Sequence, residues 1–120
     1  ALPILGKAIN PGFVEGQIQG GVQMGIGLAL SEDVAVNEKG QVINDRFSKY
    51  HVVNAPDMPD VRVFLIENGG EHGPFGAKSI GEICTVPVAA AVVNAINDAL
   101  GTNITALPVT PEKIIKALNP

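Results

Sequence analysis

The clearest pattern of hydrophobic positions lies near the start of the chain. An apolar side chain recurs at every fourth position there, at Val14, Ile18, Val22, Ile26 and Leu30. This spacing places the apolar side chains on one face of a helix. The same segment contains Gly16, Gly20, Gly21, Gly25 and Gly27. A glycine inside a helix costs about 1 kcal/mol relative to alanine. We therefore predict a buried helix whose glycines let a neighbouring element or a ligand lie against the backbone.

The middle of the chain has strand-like patterns. Two short apolar runs, residues 34–36 and 41–43, flank a polar turn that ends at Gly40. This arrangement predicts a β-hairpin, with the glycine in the left-handed position that closes the loop. We expect residues 47–53 to extend the sheet. Residues 61–66 are apolar and β-branched, which predicts a largely buried strand.

Two further helices are indicated by their end signals. Val86-Pro87 opens an apolar segment, residues 88–100, and Gly101 follows it at the usual C-terminal position. Thr110 and Pro111 are typical of the cap and first turn of a last short helix. Together the elements predict an α+β fold in two layers, with helices packed on a mixed β-sheet.

The length and composition of the chain indicate the number of domains and a contact with another domain or subunit. A chain of 120 residues fits one domain. Hydrophobic residues make up 46% of the chain and charged residues 17%, whereas globular domains average about 25% charged residues. The shortage of charge indicates that part of the surface contacts another domain or subunit.

Charge and cysteine content exclude several classes of function. The net charge of -4 leaves no basic patch, so we expect no nucleic-acid partner. No apolar run reaches the roughly 20 residues of a membrane span, and the first residues lack the basic start of a signal peptide. With a single cysteine, Cys84, the chain cannot form an internal disulfide and fits a reducing compartment. We expect a cytoplasmic protein.

Most motifs that carry chemistry are missing. One cysteine and two separated histidines, His51 and His72, cannot form a structural zinc site. The glycines before Lys78 lack the spacing of a phosphate-binding loop. Cys84 could pair with a histidine as a nucleophile, but its apolar neighbours favour core packing.

Two polar residues are left as candidates for chemistry. Glu82 ends the glycine-bracketed loop Gly76-Ala77-Lys78-Ser79-Ile80-Gly81-Glu82. A partly desolvated glutamate in such a loop would suit a general base, but the local pattern alone favours a helix-entry loop whose glutamate interacts with the positive end of the next helix. Gln17 lies on the glycine-rich helix, where it is either a ligand-binding amide or an ordinary surface side chain.

The loop that ends at Glu82 resembles the active-site segment of the xanthine dehydrogenase/aldehyde oxidase family of molybdenum hydroxylases. Five other segments, before and after this loop, are also similar to the family, and they occur in the same order as in its members. They are Gly6-Lys7-Ala8-Ile9-Asn10-Pro11, Val14-Glu15-Gly16-Gln17-Ile18, Asp57-Met58-Pro59, Gly73-Pro74-Phe75-Gly76 and Thr110-Pro111-Glu112-Lys113-Ile114.

The resemblance implies a role for each candidate residue. Glu82 matches the catalytic glutamate, a general base in the hydroxylation of an N-heterocycle or aldehyde carbon with oxygen from water. The cofactor-binding positions of the family match Gln17, Lys78, Ser79, Ile80 and Gly81. The metal is held through the sulfurs of the pterin, so the resemblance implies no direct protein ligand to molybdenum.

The resemblance also implies cofactors and partners. The cofactor would be molybdenum–molybdopterin in its cytosine dinucleotide form, with iron–sulfur clusters and FAD on other subunits or domains. Residues 1–120 would be the C-terminal segment of the molybdopterin-binding domain of a longer large subunit, inactive by itself. Residues 83–86 depart from many members and resemble bacterial purine or nicotinate hydroxylases more closely.

Two alternatives remain open from the sequence. The first is a non-catalytic assembly or interaction domain with the same fold. The second is a subunit of an aldehyde or carbon monoxide oxidoreductase, because the substrate-facing residues would lie upstream of this chain. The substrate, and the choice between sulfur and selenium at the metal, are not determined by these residues.

Overall fold

The computed structural model describes residues 4–70 and 72–119 of the chain. Its strands and helices, in chain order, are β1 (Ile4–Leu5), α1 (Pro11–Leu30), β2 (Ile66–Glu67), α2 (Val88–Leu100) and α3 (Pro111–Leu118). Single turns of 3₁₀ helix lie at Ala55–Asp57 and Pro74–Gly76. None of the helices in these described ranges has the length and hydropathy needed to cross a bilayer.

Helix α1 confirms the prediction from the apolar spacing. Asn10 caps it, because its Oδ1 accepts a hydrogen bond from the backbone N–H of Phe13 at 3.1 Å. The glycines bring a neighbouring segment close to the helix backbone, as predicted. A Cβ added at Gly21 would lie 2.5 Å from the Cβ of Cys84, and one added at Gly25 would collide with Val88 at the start of α2.

The two later helices also form where their end signals predict them. Helix α2 ends at Gly101, whose φ of 63° is the left-handed conformation that glycine adopts without strain. Helix α3 begins after Thr110, whose side chain accepts a hydrogen bond from the backbone N–H of Lys113 at 3.4 Å. These ends depend on contacts within a few residues, so the local sequence predicts them.

The strands are shorter than predicted. Within the described residues, the predicted strand at residues 61–66 pairs at Ile66, where β2 lies parallel to β1. The predicted hairpin keeps its turn, with Gly40 at a φ of 76°, but it forms a single antiparallel bridge between Val36 and Val42. Residues 47–53, expected to extend the sheet, form no strand.

The predicted two-layer α+β arrangement, with helices on a mixed sheet, is therefore not confirmed. The described residues are mainly helical, and their one sheet has two parallel strands. The strand propensity of a segment indicates that its residues suit a pleated surface. A sheet forms only where a second strand lies beside that segment. Among the described residues, the extended segment 61–65 has no such neighbour.

The core joins β1, α1 and the loop before α2. Leu5, Val14, Ile18 and Cys84 are buried together, and partly buried apolar residues such as Ile80 pack against them. This cluster holds the loop of residues 76–84 against α1. The core thus brings the two sequence segments that carry the candidate residues side by side.

Candidate functional site

A hydrogen bond joins the two candidate segments. The side-chain Nε2 of Gln17 donates to the backbone carbonyl of Gly81 at 3.2 Å, across 64 positions of sequence. Glu82 follows directly in the chain. The structure therefore places Gln17 beside the loop that carries Glu82, which sequence periodicity could not do.

Gln17 and Glu82 line a groove between α1 and α2, which we call the α1–α2 groove. Its volume is about 870 Å³. One wall comes from α1, and the other comes from the loop and the start of α2. Its lining includes Gln17, Gly20, Met24, Gly81, Glu82 and Thr85. Because a Cβ added at Gly20 would meet no atom within 4 Å, this part of α1 is open to a ligand.

A second groove lies on the other side of the same hydrogen bond. It has a volume of about 410 Å³ and lies between the loop, β1 and the start of α1. Lys78 and Ile80 line it, and Gln17 and Gly81 line both grooves. Ser79 is exposed and makes no hydrogen bond with the described residues. The predicted cofactor-binding residues are thus adjacent in space but distributed over two surfaces.

The loop carries backbone N–H groups that make no hydrogen bonds with the described residues. The carbonyls of Ile80, Gly81 and Glu82 accept hydrogen bonds from the Cys84 thiol, Gln17 and the Thr85 N–H respectively. Across a trans peptide the N–H of the next residue points to the opposite side. From residue 78 to residue 84 no backbone N–H donates to an acceptor in the described residues. This run of unused donors can bind the polar edge or an anionic group of a ligand.

The start of the loop is hydrogen-bonded to the segment that follows β1. The carbonyl of Gly76 accepts a hydrogen bond from the N–H of Lys7 at 2.8 Å. A Cβ at Gly6 would collide with that carbonyl, so this close approach requires glycine at position 6. The φ of Gly76 is 74°, again a conformation suited to glycine. The loop is therefore held at its beginning by the segment that follows β1 and at its end by α1.

The Glu82 carboxylate has no partner in the described part of the chain. Its side chain is exposed and makes no hydrogen bond or ion pair there. Helix α2 begins only at Val88, after a turn that spans residues 81–87. The helix dipole acts over about one turn, so the helix-entry alternative for Glu82 loses support. The carboxylate thus belongs to a residue that lines the groove.

Cys84 is a buried packing residue. Its thiol donates to the carbonyl of Ile80 at 3.1 Å, and burial raises the pKa of the thiol. A raised pKa disfavours the thiolate that a nucleophile or a metal ligand requires. The core-packing alternative is the one that the geometry favours.

The α1–α2 groove includes residues that we did not predict as candidates. Met24 and Leu28 line it from α1, and Thr85 lines it from the loop, with its hydroxyl 3.8 Å from the sulfur of Met24. Met24 and Leu28 lie on the same helical face as Gln17, so the helical spacing from Gln17 was the signal that could have identified them. In the described part of the chain no cluster of three His, Cys, Asp or Glu residues could hold a metal ion.

Comparison with known proteins identifies the class of this fold. Residues 5–59 match the molybdopterin cofactor-binding domain. The putative xanthine dehydrogenase molybdenum-binding subunit of Escherichia coli K12 is 38% identical over 110 residues, covering 91% of this chain and 15% of its own length. The gamma subunit of the 6-hydroxypseudooxynicotine dehydrogenase complex of Paenarthrobacter nicotinovorans is 43% identical over 112 residues, covering 91% and 14% respectively.

Solved structures agree with the sequence relatives. Quinoline 2-oxidoreductase from Pseudomonas putida 86 superimposes with a TM-score of 0.92 and 37% identity, covering 98% of this chain and 15% of that protein chain. The fold and the relatives define a molybdopterin cofactor-binding domain. The chain belongs to the xanthine dehydrogenase/aldehyde oxidase family of molybdenum hydroxylases. It spans about 15% of the length of the relatives it matches.

Proposed function

We propose that this chain forms one wall of the molybdopterin site in a large subunit that hydroxylates an N-heterocycle or aldehyde carbon with oxygen from water. The chain would be the C-terminal segment of that subunit's molybdopterin-binding domain. The observation that carries the proposal is the hydrogen bond from Gln17 to the carbonyl of Gly81, because it brings the predicted cofactor amide next to the predicted base.

The residues around this hydrogen bond fit a pterin cofactor. A flat polar molecule needs close backbone approach and hydrogen-bond donors, and the glycine face of α1 and the unused N–H groups of residues 78–84 offer both. The cofactor binds its metal through its own sulfurs and supplies the redox chemistry. Its binding residues would be Gln17, Lys78, Ser79, Ile80 and Gly81.

Glu82 is the proposed general base. A base has to approach within about 2.6–3.2 Å of the proton it removes. The Glu82 side chain is exposed at the groove and has no partner among the described residues, so either oxygen can accept a proton from a water-derived nucleophile. The remainder of the subunit would cover the groove and exclude bulk water from the carboxylate.

The relatives support a heteroaromatic substrate. The names of three relatives refer to xanthine, nicotine and quinoline. The nicotine 6-hydroxylase relative is a large subunit, and the 6-hydroxypseudooxynicotine dehydrogenase relative is a subunit of a complex. From the family resemblance we also propose iron–sulfur and FAD partner subunits, the cytosine dinucleotide form of the cofactor, and a cytoplasmic location. Aldehydes are the second candidate class, because the aldehyde oxidoreductase of Megalodesulfovibrio gigas is 37% identical over 115 residues.

The test is a Glu82→Gln substitution in the full-length holoenzyme. The amide keeps the size of the side chain but cannot accept the proton, so kcat should fall by roughly 10²–10⁴-fold. The molybdenum and pterin contents should stay normal. Glu15→Gln is the matched control, since Glu15 is an exposed carboxylate on α1, and it should leave kcat unchanged. A Glu82→Gln enzyme with nearly the wild-type rate would contradict the proposal and favour a non-catalytic role for the domain.

A further inference from the structure

Two small residues set the distance between α1 and the loop that carries Glu82. We propose that Gly21 and Cys84 are positioning residues, whose contact holds the Glu82 carboxylate at its working position over the α1–α2 groove. The inference rests on the proposed function and extends it to two residues that act through the loop; Gly21 also lines the α1–α2 groove, whereas Cys84 is not among the residues that line it.

The contact between the Gly21 backbone and Cys84 leaves no room for a side chain at position 21. Cys84 is 6% exposed. A Cβ added at Gly21 would lie 2.5 Å from the Cys84 Cβ and 3.0 Å from its carbonyl carbon. The backbone carbon cannot move aside as the end of a flexible side chain could. Any larger residue at position 21 therefore has to push the loop away from α1.

Glu82 lies between two attachments of the loop to α1. Gln17 holds the carbonyl of Gly81, and Gly21 packs against Cys84. Gln17 and Gly21 are one helical turn apart, so they lie on the same face of α1. A shift of the loop at Cys84 cannot be absorbed at Gly81 without loss of the Gln17 hydrogen bond. Displacement at either point therefore moves the carboxylate.

The thiol of Cys84 contributes a third restraint. It donates to the carbonyl of Ile80 at 3.1 Å and so closes the turn that contains Glu82. A thiol is a weak donor, but a serine hydroxyl at the same place could replace the hydrogen bond, whereas alanine could not. Catalysis is sensitive to such restraints, because a displacement of about 1 Å can cost 10²-fold in rate.

The experiment compares Gly21→Ala, Cys84→Ala and Cys84→Ser in the full-length holoenzyme. Gly21→Ala should lower kcat by at least roughly 10-fold, with KM within about twofold and the molybdenum and pterin contents unchanged. Cys84→Ala should lower kcat severalfold, and Cys84→Ser should recover at least half of that loss. Gly12→Ala is the control, because an added Cβ on that turn of α1 makes only an ordinary contact with Asn10, at 3.6 Å.

The outcomes separate this inference from the proposed function. If Glu82→Gln abolishes turnover while Gly21→Ala and Cys84→Ala both keep the wild-type kcat, the positioning role is wrong and the base assignment stands. If kcat falls only in proportion to cofactor content, the positioning role is also wrong. If Gly21→Ala fails to fold, the comparison of Cys84→Ala with Cys84→Ser decides. In the Glu82→Gln background, Cys84→Ala should lower the residual rate no further, because the effect acts through Glu82.

Discussion

At the scale of single residues, the polar groups of the loop differ in whether they already have a hydrogen-bond partner within the protein. The loop carbonyls that face the protein are paired, whereas the backbone N–H groups of residues 78–84 and the Glu82 carboxylate have no partner among the described residues. Cys84 lies next to these groups but is buried and directed inward. The same short loop thus separates a structural thiol from a carboxylate that is available for chemistry.

Burial of Cys84 predicts a slow reaction with alkylating reagents. Because burial raises the pKa of the thiol, the folded protein holds less thiolate at a given pH than the unfolded chain does. Alkylation by iodoacetamide near pH 8 should be at least roughly 10-fold slower in the folded full-length protein than in urea, as read by mass spectrometry of the Cys84 peptide. The pH midpoint of the reaction should also be higher in the folded state. Equal rates in the two states would show that the thiol is accessible.

The same raised pKa has a consequence for stability. Below the unfolded-state pKa of about 8.5 the thiol is protonated in both states. As the pH rises above that value, the unfolded chain loses the proton first. The Cys84 contribution to the free energy of unfolding should therefore decrease above this pH, and Cys84→Ala should remove that decrease.

At the scale of elements, helices and strands differ in what the local sequence predicts. The end of α2 and the start of α3 were predicted from Gly101 and Thr110-Pro111, because capping uses groups a few residues apart. The strand at residues 61–66 was predicted from its composition, and in the described part of the chain its pairing with β1 is seen at Ile66. Strand pairing needs a distant partner, which composition does not contain.

The end of α2 offers a test of this local control. Gly101 has a φ of 63°, and a Cβ there would meet no atom within 4 Å. Gly101→Ala should therefore lower the free energy of unfolding by about 1–2 kcal/mol through backbone strain alone. Gly101→Asn should cost less, since asparagine tolerates the left-handed conformation. Chemical denaturation of the full-length protein would measure both, and an alanine variant as stable as the wild type would contradict this explanation of the helix end.

At the scale of the whole molecule, the chain exposes apolar surface that suits a larger assembly. Phe13, Phe47 and Phe75 are 80%, 87% and 86% exposed. Such side chains normally lie inside a protein or an interface. They agree with the low proportion of charged residues and with a chain that spans about 15% of the length of its relatives.

This exposure predicts that the chain is inactive in isolation. The α1–α2 groove has walls only from α1, the loop and α2, so the Glu82 carboxylate stays in contact with water. A purified chain of residues 1–120 should show no turnover of heteroaromatic or aldehyde substrates, whereas the full-length holoenzyme should. Measurable turnover by the isolated chain would contradict the prediction that the site needs the remainder of the subunit.

The sequence by itself predicted the three helices, the end of α2 and the start of α3, and it carries the pattern by which the loop at residues 76–82 resembles the family. These features depend on neighbours along the chain, and the family pattern is written in consecutive residues. Only the tertiary structure decided that Gln17 binds the carbonyl of Gly81 and that Gly21 packs against Cys84. It also showed that the strands of the described residues form one parallel pair, so that the predicted mixed sheet is not confirmed. Contacts between residues so far apart in the sequence depend on how the whole chain packs, because each of them needs two distant segments to come together.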